Sequence, residues 1–403
     1  MIKLCEIDVC TGCMSCKQKC NHDAISIITI GQFDYPHIDL SQCVECGLCL
    51  SACPVINTSQ KKGINHQSGD ICIAAWNKNH EVRMSSSSGG VFSVFSERCL
   101  KESGVVYGAA WNEKLKLEHK GIEKLTELDS LRRSKYVQSD VSNTYNEVKN
   151  HLNHGRQVLY CGTPCQIAGL KFFLGFKDYE KLFCIDVLCQ GVPSPYLFKK
   201  YIKEVEIETG FQTEGCNFRT KKYGWRCGLL LLLDGKLKGR PRKIEMLMEN
   251  NSFYNAFIKE YFMRPACYSC RFKNQKQGYY SDITIADFWR IGNKIPLKVD
   301  NYEEGISAIV VNTDKGRNLL DACSDEIEMI ERTWEEFSTN GGLRRSTKPD
   351  NNDEALIYLN NHTWKETQKA FFPLTLRQKI KVLLNLLLKE KTMRKVLNII
   401  GKL

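Results

Sequence analysis

Eight cysteines near the N-terminus repeat one spacing twice, and this feature limits the possible fold more than any other. In each set, two residues separate the first three cysteines, and three residues precede the fourth. Proline follows the last cysteine of the second set, whereas Asn21 occupies that place in the first. Three thiolates on a tight loop favour a shared metal site, so we expect a metal-binding domain over residues 1–57. The two sets are Cys10, Cys13, Cys16 and Cys20, followed by Cys43, Cys46, Cys49 and Cys53.

The doubled spacing is that of a bacterial ferredoxin-type domain with two [4Fe-4S] clusters, in which the fourth cysteine of each set ligates the other cluster. The segment between the sets alternates apolar residues around Gly31, which predicts a β-hairpin. A pair of zinc sites is the alternative, because zinc also binds paired cysteines. Cys5 lies outside the register and is interpreted as a packing residue. The crossed ligand sets are Cys10, Cys13, Cys16 and Cys53 for the first cluster, and Cys20, Cys43, Cys46 and Cys49 for the second.

Cysteine usage across the whole chain favours metal binding over disulfides. The chain has 403 residues and 20 cysteines, which is long enough for two or three domains with ample cores. Dense disulfides belong to small secreted domains, whereas clustered cysteines in a reducing compartment indicate metal ligands. The N-terminus lacks a basic region followed by an apolar one, and no run of eighteen apolar residues occurs. We therefore expect a cytoplasmic protein without a signal peptide or a membrane span.

Positive charge is concentrated at the C-terminal end. The formal net charge is +11 at pH 7, and the segment from Phe371 onward contains eight Lys or Arg residues against Glu390. That segment contributes +7, which leaves +4 for the rest of the chain. The body is therefore close to neutral, and no basic patch interleaved with aromatic residues indicates a nucleic-acid partner.

The same segment has the periodicity of an amphipathic helix. From Leu374 to Leu403, apolar residues recur at helical spacing, basic residues fill much of the remainder, and Pro373 precedes them. Such a helix favours an anionic membrane surface or a partner groove. The alternative is that its apolar face packs on the body or closes a dimer. We predict a basic helical tail over 355–403, with peripheral contact at the inner membrane surface and a lipid-linked substrate as the functional hypothesis.

Between the two ends, strands and helices alternate, which predicts an α+β protein with a larger mixed α/β domain over 70–345. The segments "ICIAAWNKN" and "VVYGAAW" are typical of strands, and "SSGG" (87–90) precedes an apolar helix pattern between them. Small residues at a helix N-terminus let backbone N–H groups approach a phosphate, although a flexible polar cap has the same pattern. In "VLYCGTPCQIAGL", a strand meets a turn and a helix start, with Cys161 and Cys165 flanking the turn.

Distinctive sequence blocks occur along the chain in one order. They are "SSGGVFSVF", "RRSKYVQSD", "YCGTPCQIAGLKFFL", "IDVLCQGVPSP", "NFRTKKYGW", "RPACYSCRF" and "SDITIADFW". Together with the N-terminal cysteines, this series resembles the coenzyme F420 hydrogenase/dehydrogenase beta-subunit family over about Cys10 to Thr313. The resemblance implies an iron–sulfur flavoprotein that holds FAD and passes electrons between a two-electron carrier and one-electron centres.

The resemblance also implies where the cofactors bind. A third [4Fe-4S] cluster takes four cysteines from separated blocks, which spacing alone does not group; zinc at the same residues is the alternative. Lys135 offers a charge to the FAD pyrophosphate or ring, and Tyr136 offers a stacking face, whereas a solvated charge is the other interpretation of Lys135. The cluster residues are Cys165, Cys189, Cys267 and Cys270. The FAD residues are Ser88, Gly89, Gly90, Lys135, Tyr136, Gly162, Thr163 and Pro164.

Three further charged residues in these blocks have two interpretations each. Arg219 and Lys221 either line the substrate side or form a surface charge pair at a strand end. Asp287 either hydrogen-bonds the turn of the flavin domain or acts as a structural cap. The family often has glycine where this chain has Ala286 and Arg290, so we expect a substrate pocket of different shape.

No Ser-His-Asp set or Cys-His pair indicates a nucleophile, and no catalytic residue is assigned, because the chemistry belongs to the cofactors. Three functions remain open. The first is a flavin-dependent reductase that takes electrons from a small ferredoxin and reduces an organic substrate, with polysaccharide biosynthesis as one setting. The second is a dehydrogenase of reduced coenzyme F420. The third is a non-catalytic electron-relay subunit that docks to a partner oxidoreductase.

Overall fold

The computed structural model describes residues 2–59, 63, 71–225, 230–272, 278–297, 299 and 301–387. Its N-terminal domain contains an antiparallel hairpin of β1 (Ile25–Ile30) and β2 (Phe33–Ile38), which confirms the hairpin predicted around Gly31. The third cysteine of each set lies in a short helix, α1 (Ser15–Lys19) or α2 (Leu48–Ser51). A further short helix, α3 (Pro54–Asn57), follows the last cysteine. This repeated arrangement gives the domain two similar poles.

A mixed eight-stranded sheet forms the centre of the larger domain. Its strands are β3 (Ile71–Asn77), β4 (Val105–Trp111), β5 (Leu117–Ile122), β6 (Val158–Gly162), β7 (Leu182–Val187), β11 (Ile283–Asp287), β12 (Ser307–Val311) and β13 (Ile327–Thr333). They lie in the order β13-β3-β12-β11-β7-β6-β4-β5. The four strands β4, β6, β7 and β11 run parallel, and the outer strands pair antiparallel. The carboxyl ends of the parallel strands therefore meet at one edge of the sheet.

Helices cover both faces of this sheet, which explains why its central strands are mostly apolar. On one face, α5 (Val91–Lys101) and α11 (Asp314–Asp321) pack over Leu159. On the other, α6 (Thr144–Asn153) and α7 (Pro164–Phe173) pack over Val158 and Tyr160. Successive residues of β6 thus point to opposite cores, as the twofold repeat of a strand requires. Short helices α4 (His80–Ser85), α10 (Pro265–Tyr268) and α12 (Trp334–Phe337) complete the loops.

A second core lies beside the large sheet and includes part of the predicted tail. A three-stranded antiparallel sheet packs against four helices around Trp364, whose ring contacts Tyr201, Phe253 and Phe262. Residues 355–372 are thus part of the folded body, although the sequence placed them in the tail. The elements are β8 (Phe211–Asn217), β9 (Leu230–Leu237), β10 (Arg240–Leu247), α8 (Pro195–Thr209), α9 (Ser252–Ile258), α13 (Asn352–Asn361) and α14 (Trp364–Phe371).

The basic amphipathic helix itself begins later than its pattern indicated. Helix α15 (Leu376–Leu387) starts after Pro373, and Thr375 and Gln378 cap its N-terminus by reciprocal hydrogen bonds. Lys381 pairs with Glu249 at 2.8 Å and ties one face of the helix to the body. Residues 388–403 lie outside the described residues. Within the described part of the chain, no helix is long and apolar enough to span a membrane.

Candidate functional site

The structure brings together the two crossed cysteine sets of the N-terminal domain. Burial raises the pKa of Cys16, and the nearby thiols of Cys13, Cys53 and Cys10 raise it further. These four sulfurs therefore lie close enough to interact electrostatically. The other four cysteines line one small cavity at the start of α2. We call the group Cys10, Cys13, Cys16 and Cys53 the inner pole, and the group Cys20, Cys43, Cys46 and Cys49 the outer pole.

The two poles have different surroundings. The inner pole packs against α7, where a Cβ on Gly169 would lie 3.0 Å from the Cys13 sulfur, and Ser15 Oγ donates to the Gly169 carbonyl at 3.0 Å. At the outer pole Cys46 is exposed, and the side chain of Val44 is 58% accessible. The inner pole is therefore enclosed by the larger domain, and the outer pole faces solvent.

Cys5, which the sequence pattern left as a packing residue, lies against the inner pole. A hydrogen bond from the Cys5 thiol lowers the pKa of Cys10 to about 6, with Arg264 acting in the same direction against burial. The same thiol also bonds the sulfur of Cys53. Cys5 is therefore a neighbour of the candidate ligands, and no spacing rule would have indicated it.

A cavity of about 660 Å³ opens at the carboxyl edge of the parallel strands. This is the edge at which open α/β sheets bind ligands, because the loops after neighbouring strands converge there. It gathers residues that lie far apart in the sequence, including all four cysteines proposed for a third cluster. The expected site residues on its wall are Ser88, Gly90, Lys135, Tyr136, Gly162, Thr163, Pro164, Cys165, Cys189, Cys267 and Cys270.

Gly89 is the one expected FAD residue that does not line the cavity. It packs between β3 and β12: its N–H donates to Ser307 Oγ at 2.9 Å, and a Cβ there would meet the Ala75 carbonyl oxygen at 2.2 Å. The glycine is needed for close backbone packing under the loop. Its neighbour Gly90, with φ of +83°, is the residue that starts α5 at the cavity wall.

Lys135 and Tyr136 are held by contacts that the sequence did not indicate. The Lys135 ammonium donates to the carbonyl oxygens of residues 131, 132 and 133 at 2.6–3.2 Å, so it is not a solvated charge. Burial, together with the charge of Arg133, lowers the pKa of Lys135 to about 7. Tyr136 stacks on Phe257 with ring centroids 4.7 Å apart, and its hydroxyl accepts from Arg219 at 3.1 Å.

A series of hydrogen-bonded side chains holds the turn after β6 in place. Thr163 caps α7 with Gln166 in a reciprocal capping box, and Gln166 Nε2 donates to Ser139 Oγ at 3.0 Å. His119, which the sequence left without a role, lies 3.0 Å from Ser139 Oγ and 3.1 Å from the Cys161 carbonyl oxygen. Burial lowers the pKa of His119 to about 4, so the ring is neutral and bonds both partners. Cys161, which flanks this turn, also lies on the cavity wall.

The four separated cysteines meet around one side of the cavity. Cys165 lies in the first turn of α7, with its sulfur 3.3 Å from Thr163 Oγ1, and Cys189 follows β7. Burial, and then the thiols of Cys189, Cys270 and Cys267, raise the pKa of Cys165. No group of three His, Cys, Asp or Glu side chains among the described residues is close enough to hold a single metal ion.

Asp287 lines the cavity and pairs with the buried Arg219, which excludes the surface charge pair at this point. Arg219 holds Asp287 with two hydrogen bonds of 2.8 and 3.0 Å, and Trp225 Nε1 donates to the same carboxylate at 2.7 Å. Asp287 therefore binds Arg219 and Trp225, rather than the flavin-domain turn. Lys221 is buried behind the cavity and donates to the carbonyl oxygens of Arg83, Ser88 and Glu304 at 2.5–2.6 Å.

Comparisons with known proteins match two parts of the chain to family models. Residues 155–335 match the C terminus of the coenzyme F420 hydrogenase/dehydrogenase beta subunit, and residues 9–57 match the 4Fe-4S dicluster domain. No curated protein that was compared matches the chain. A chain in the xenon-derivatised F420-reducing [NiFe] hydrogenase complex from Methanosarcina barkeri is 15% identical, with a TM-score of 0.43, over 77% of this chain and 92% of that chain. The chain is thus similar to the coenzyme F420 hydrogenase/dehydrogenase beta subunit over residues 155–335 and to a 4Fe-4S dicluster domain over residues 9–57.

Proposed function

We propose that the protein is an iron–sulfur flavoprotein oxidoreductase that passes electrons between the N-terminal clusters and a two-electron substrate in the cavity. The observation that carries this proposal is the cavity itself, which joins the four separated cysteines and the expected flavin residues on one wall. When bound, the clusters carry single electrons and FAD exchanges electron pairs with the substrate. The chain's own residues supply binding, orientation and a fixed path.

The cavity fits FAD in size, charge and backbone geometry. Its volume of about 660 Å³ lies within the range of cofactor sites. The N-terminus of α5 opens onto it at Gly90, and the backbone N–H groups of a helix N-terminus favour an anion. Arg132 and Arg133 line the same part of the wall, and their positive charge suits a pyrophosphate. We assign FAD to this wall, with Tyr136 and the turn 162–164 on the ring side.

The donor set on the cysteine side of the cavity fits a third [4Fe-4S] cluster. Four thiols from α7, the loop after β7 and the "CYSC" segment converge there, and thiolates are the usual ligands of such clusters. Thiols remain available as ligands in a reducing compartment, so we propose a cytoplasmic setting. We therefore propose three clusters and one FAD for each chain.

Helix α7 links the inner pole to the cavity. Cys165 lies in its first turn at the cavity, and Gly169 packs on Cys13 four residues later. Four residues of an α-helix span about 6 Å along the axis. The path from the outer pole to the cavity is thus short and enclosed after its first step, so we propose that a redox partner docks at the exposed face around Cys46.

Direction and substrate distinguish the remaining hypotheses. The cavity is large, and no residue of the outer pole lines it. This favours an enzyme with its own substrate over a subunit that only relays electrons. We propose a reductase of an organic substrate, and keep a dehydrogenase of reduced coenzyme F420 as the second candidate because both use the same cavity. Anaerobic addition of reduced coenzyme F420 separates them: bleaching of the visible absorbance supports the dehydrogenase.

The test of the proposed path is flavin reduction by a reduced two-cluster ferredoxin in anaerobically reconstituted protein. We expect about one FAD for each chain, released by acid, and its reduction by the ferredoxin. Cys46→Ser should retain the FAD and slow its reduction by this donor, because the partner-facing cluster is lost. Val44→Thr, on the same exposed face, provides the control, since it keeps every ligand. Reconstituted protein that holds no flavin contradicts the proposal.

Helix α15 supports a separate proposal of membrane contact. Leu376, Ile380 and Leu383 are exposed on it, close to lysines, while Lys381 is tied to the body. Each basic residue near an anionic surface contributes about 1 kcal/mol. Full-length protein should sediment with anionic vesicles at low salt, and Ile380→Ser/Leu383→Ser should not. Equal sedimentation of both proteins contradicts membrane contact through this face.

A further inference from the structure

Arg264 joins the inner pole to the cavity through a set of directed hydrogen bonds. The residue is 1% exposed and lies immediately before α10. Its Nε donates to the Cys10 carbonyl oxygen at 2.7 Å, Nη1 donates to Gln138 Oε1 at 2.9 Å, and Nη2 donates to the Asp34 carbonyl oxygen at 3.0 Å. Nη2 also lies 3.9 Å from the sulfur of Cys10. One guanidinium thus fixes the inner pole against the larger domain.

The charge of this guanidinium is not neutralised by a carboxylate among the contacts that the structure describes. Its hydrogen-bond acceptors are carbonyl and amide oxygens, and its faces lie over Tyr35 at 4.3 Å and Phe33 at 5.3 Å. An anion-forming group, the Cys10 thiol, lies 3.9 Å from Nη2. A buried cation with neutral partners exerts its field on the nearest ligand, because little water screens it.

The same residue is part of the cavity wall. The backbone N–H of Cys267 donates to the Arg264 carbonyl at 2.8 Å, so Arg264 caps the helix that carries a proposed third-cluster ligand. Glycine at position 12 makes room for it: φ is +68°, and a Cβ would lie 2.7 Å from Arg264 Cζ. The contact therefore depends on residues from both domains.

We propose that Arg264 is a positioning residue that raises the reduction potential of the cluster at the inner pole above that of the cluster at the outer pole. The proposal rests on the proposed clusters. Reduction adds one negative charge to a cluster, and a fixed guanidinium beside a ligand sulfur stabilises that added charge. One electron then moves from the outer cluster, which is oxidised, to the inner cluster, which is reduced, without transfer of a proton or an atom.

The surroundings of the outer pole explain the expected difference between the two clusters. Cys46 is exposed there, and water and salt screen charges at its surface. Because of Arg264, the first electron should therefore reduce the inner cluster rather than the outer cluster. Electrons given to the outer face are drawn toward the cavity.

The test compares Arg264→Met, which removes the charge, with Arg264→Lys, which retains it. Arg271→Met is the matched control, because the exposed Arg271 also crosses between the domains, with Nη1 donating to the Val55 carbonyl at 3.0 Å. Anaerobic potentiometric titration followed by electron paramagnetic resonance gives the midpoint potentials, and iron is counted in the same samples. Arg264→Met should weaken reduction of one N-terminal cluster at least tenfold, about 59 mV for one electron. Arg264→Lys should weaken it less than threefold, and Arg271→Met should leave it unchanged.

Iron content separates failure of this proposal from failure of the proposed function. Full iron with unchanged potentials in Arg264→Met overturns the role of Arg264 and leaves the clusters in place. Wild-type protein without clusters overturns the proposed function instead. If Arg264→Met does not take up iron, Gln138→Leu frees Nη1 while keeping the charge, and a twofold to threefold weaker reduction supports the proposal. Equal loss of iron in Arg264→Met and Arg264→Lys shows a purely structural role and overturns it.

Discussion

The inner and outer poles of the N-terminal domain share a cysteine pattern but differ in what surrounds them. At the inner pole, Gly12 has the side chain of Arg264 within 2.7 Å of where a Cβ would be, whereas nothing lies within 4 Å at Gly47 of the outer pole. Both glycines have positive φ, and so do Glu45 and Met14, which occupy the equivalent places in the other set, so the backbones of the two sets are alike at these places. The pattern therefore sets the ligands, and the contacts with the larger domain decide which pole faces inward.

Loss of a ligand at each pole tests this difference most strongly. Cys13→Ala and Cys46→Ala should each lower the iron content by about four, because a cluster needs all its ligands. Only Cys13→Ala should also destabilise the larger domain, since Cys13 packs on α7. Iron analysis and thermal unfolding followed by tryptophan fluorescence measure both effects. Equal destabilisation by the two variants would contradict the assignment of inner and outer poles.

The stability of the cavity wall around Asp287 should not depend on the clusters at either pole. Asp287→Asn leaves Arg219 buried without its anion, and breaking a buried pair of this kind costs about 3–5 kcal/mol. Asp129→Asn is the control, because its ion pair with Arg133 is largely exposed and is worth at most about 1 kcal/mol. Denaturant unfolding gives the two free energies. Loss of N-terminal iron in Asp287→Asn would show that the wall and the poles are coupled, against our expectation.

Alanine at Gly12 and at Gly47 tests one glycine of positive φ at each pole. Gly47→Ala should cost about 1–2 kcal/mol, which is the strain of a side chain at positive φ. Gly12→Ala adds a clash with Arg264, and overpacking costs about 1–3 kcal/mol more. The loss of visible cluster absorbance during chemical unfolding provides the measurement. The two substitutions costing the same would mean that Arg264 does not pack tightly on the inner pole.

The smallest expected effect concerns acid stability of the cavity turn. His119 is buried and neutral, with a pKa of about 4 in the folded protein, and the unfolded chain takes up a proton near pH 6.5. Stability should therefore fall as the pH drops from 6.5 toward 4, by about 2 kcal/mol between pH 7 and pH 5. His119→Gln should have a flatter pH profile. An unchanged slope in that variant would show that other groups cause the loss.

The N-terminal domain could be predicted from the sequence because its ligands are close in the chain. The spacing of Cys10, Cys13 and Cys16 fixes one loop, and the hairpin around Gly31 was confirmed. The cysteine spacing could not indicate Arg264, because this residue comes from a segment more than two hundred residues away and reaches the inner pole only when the two domains are packed together.

The residues of the cavity were harder to predict from the sequence, because they come together only at the edge of the folded sheet. Cys165 and Cys270 have no mutual spacing rule, and only the family resemblance grouped them. His119 lies on an edge strand with no motif around it, so its bond to the Cys161 carbonyl was missed. Gly89 was expected to approach a cofactor, but strand packing beneath the loop requires it. The tail boundary differed because Trp364 fills the second core.

The central claim is that the cavity holds FAD and a third cluster beside the inner pole. Iron, acid-labile sulfide and FAD counted together in anaerobically reconstituted full-length protein test it most directly. We predict about twelve irons, twelve sulfides and one FAD for each chain, and about eight irons with intact N-terminal clusters in Cys267→Ala. About eight irons in both proteins, without FAD, would contradict the account.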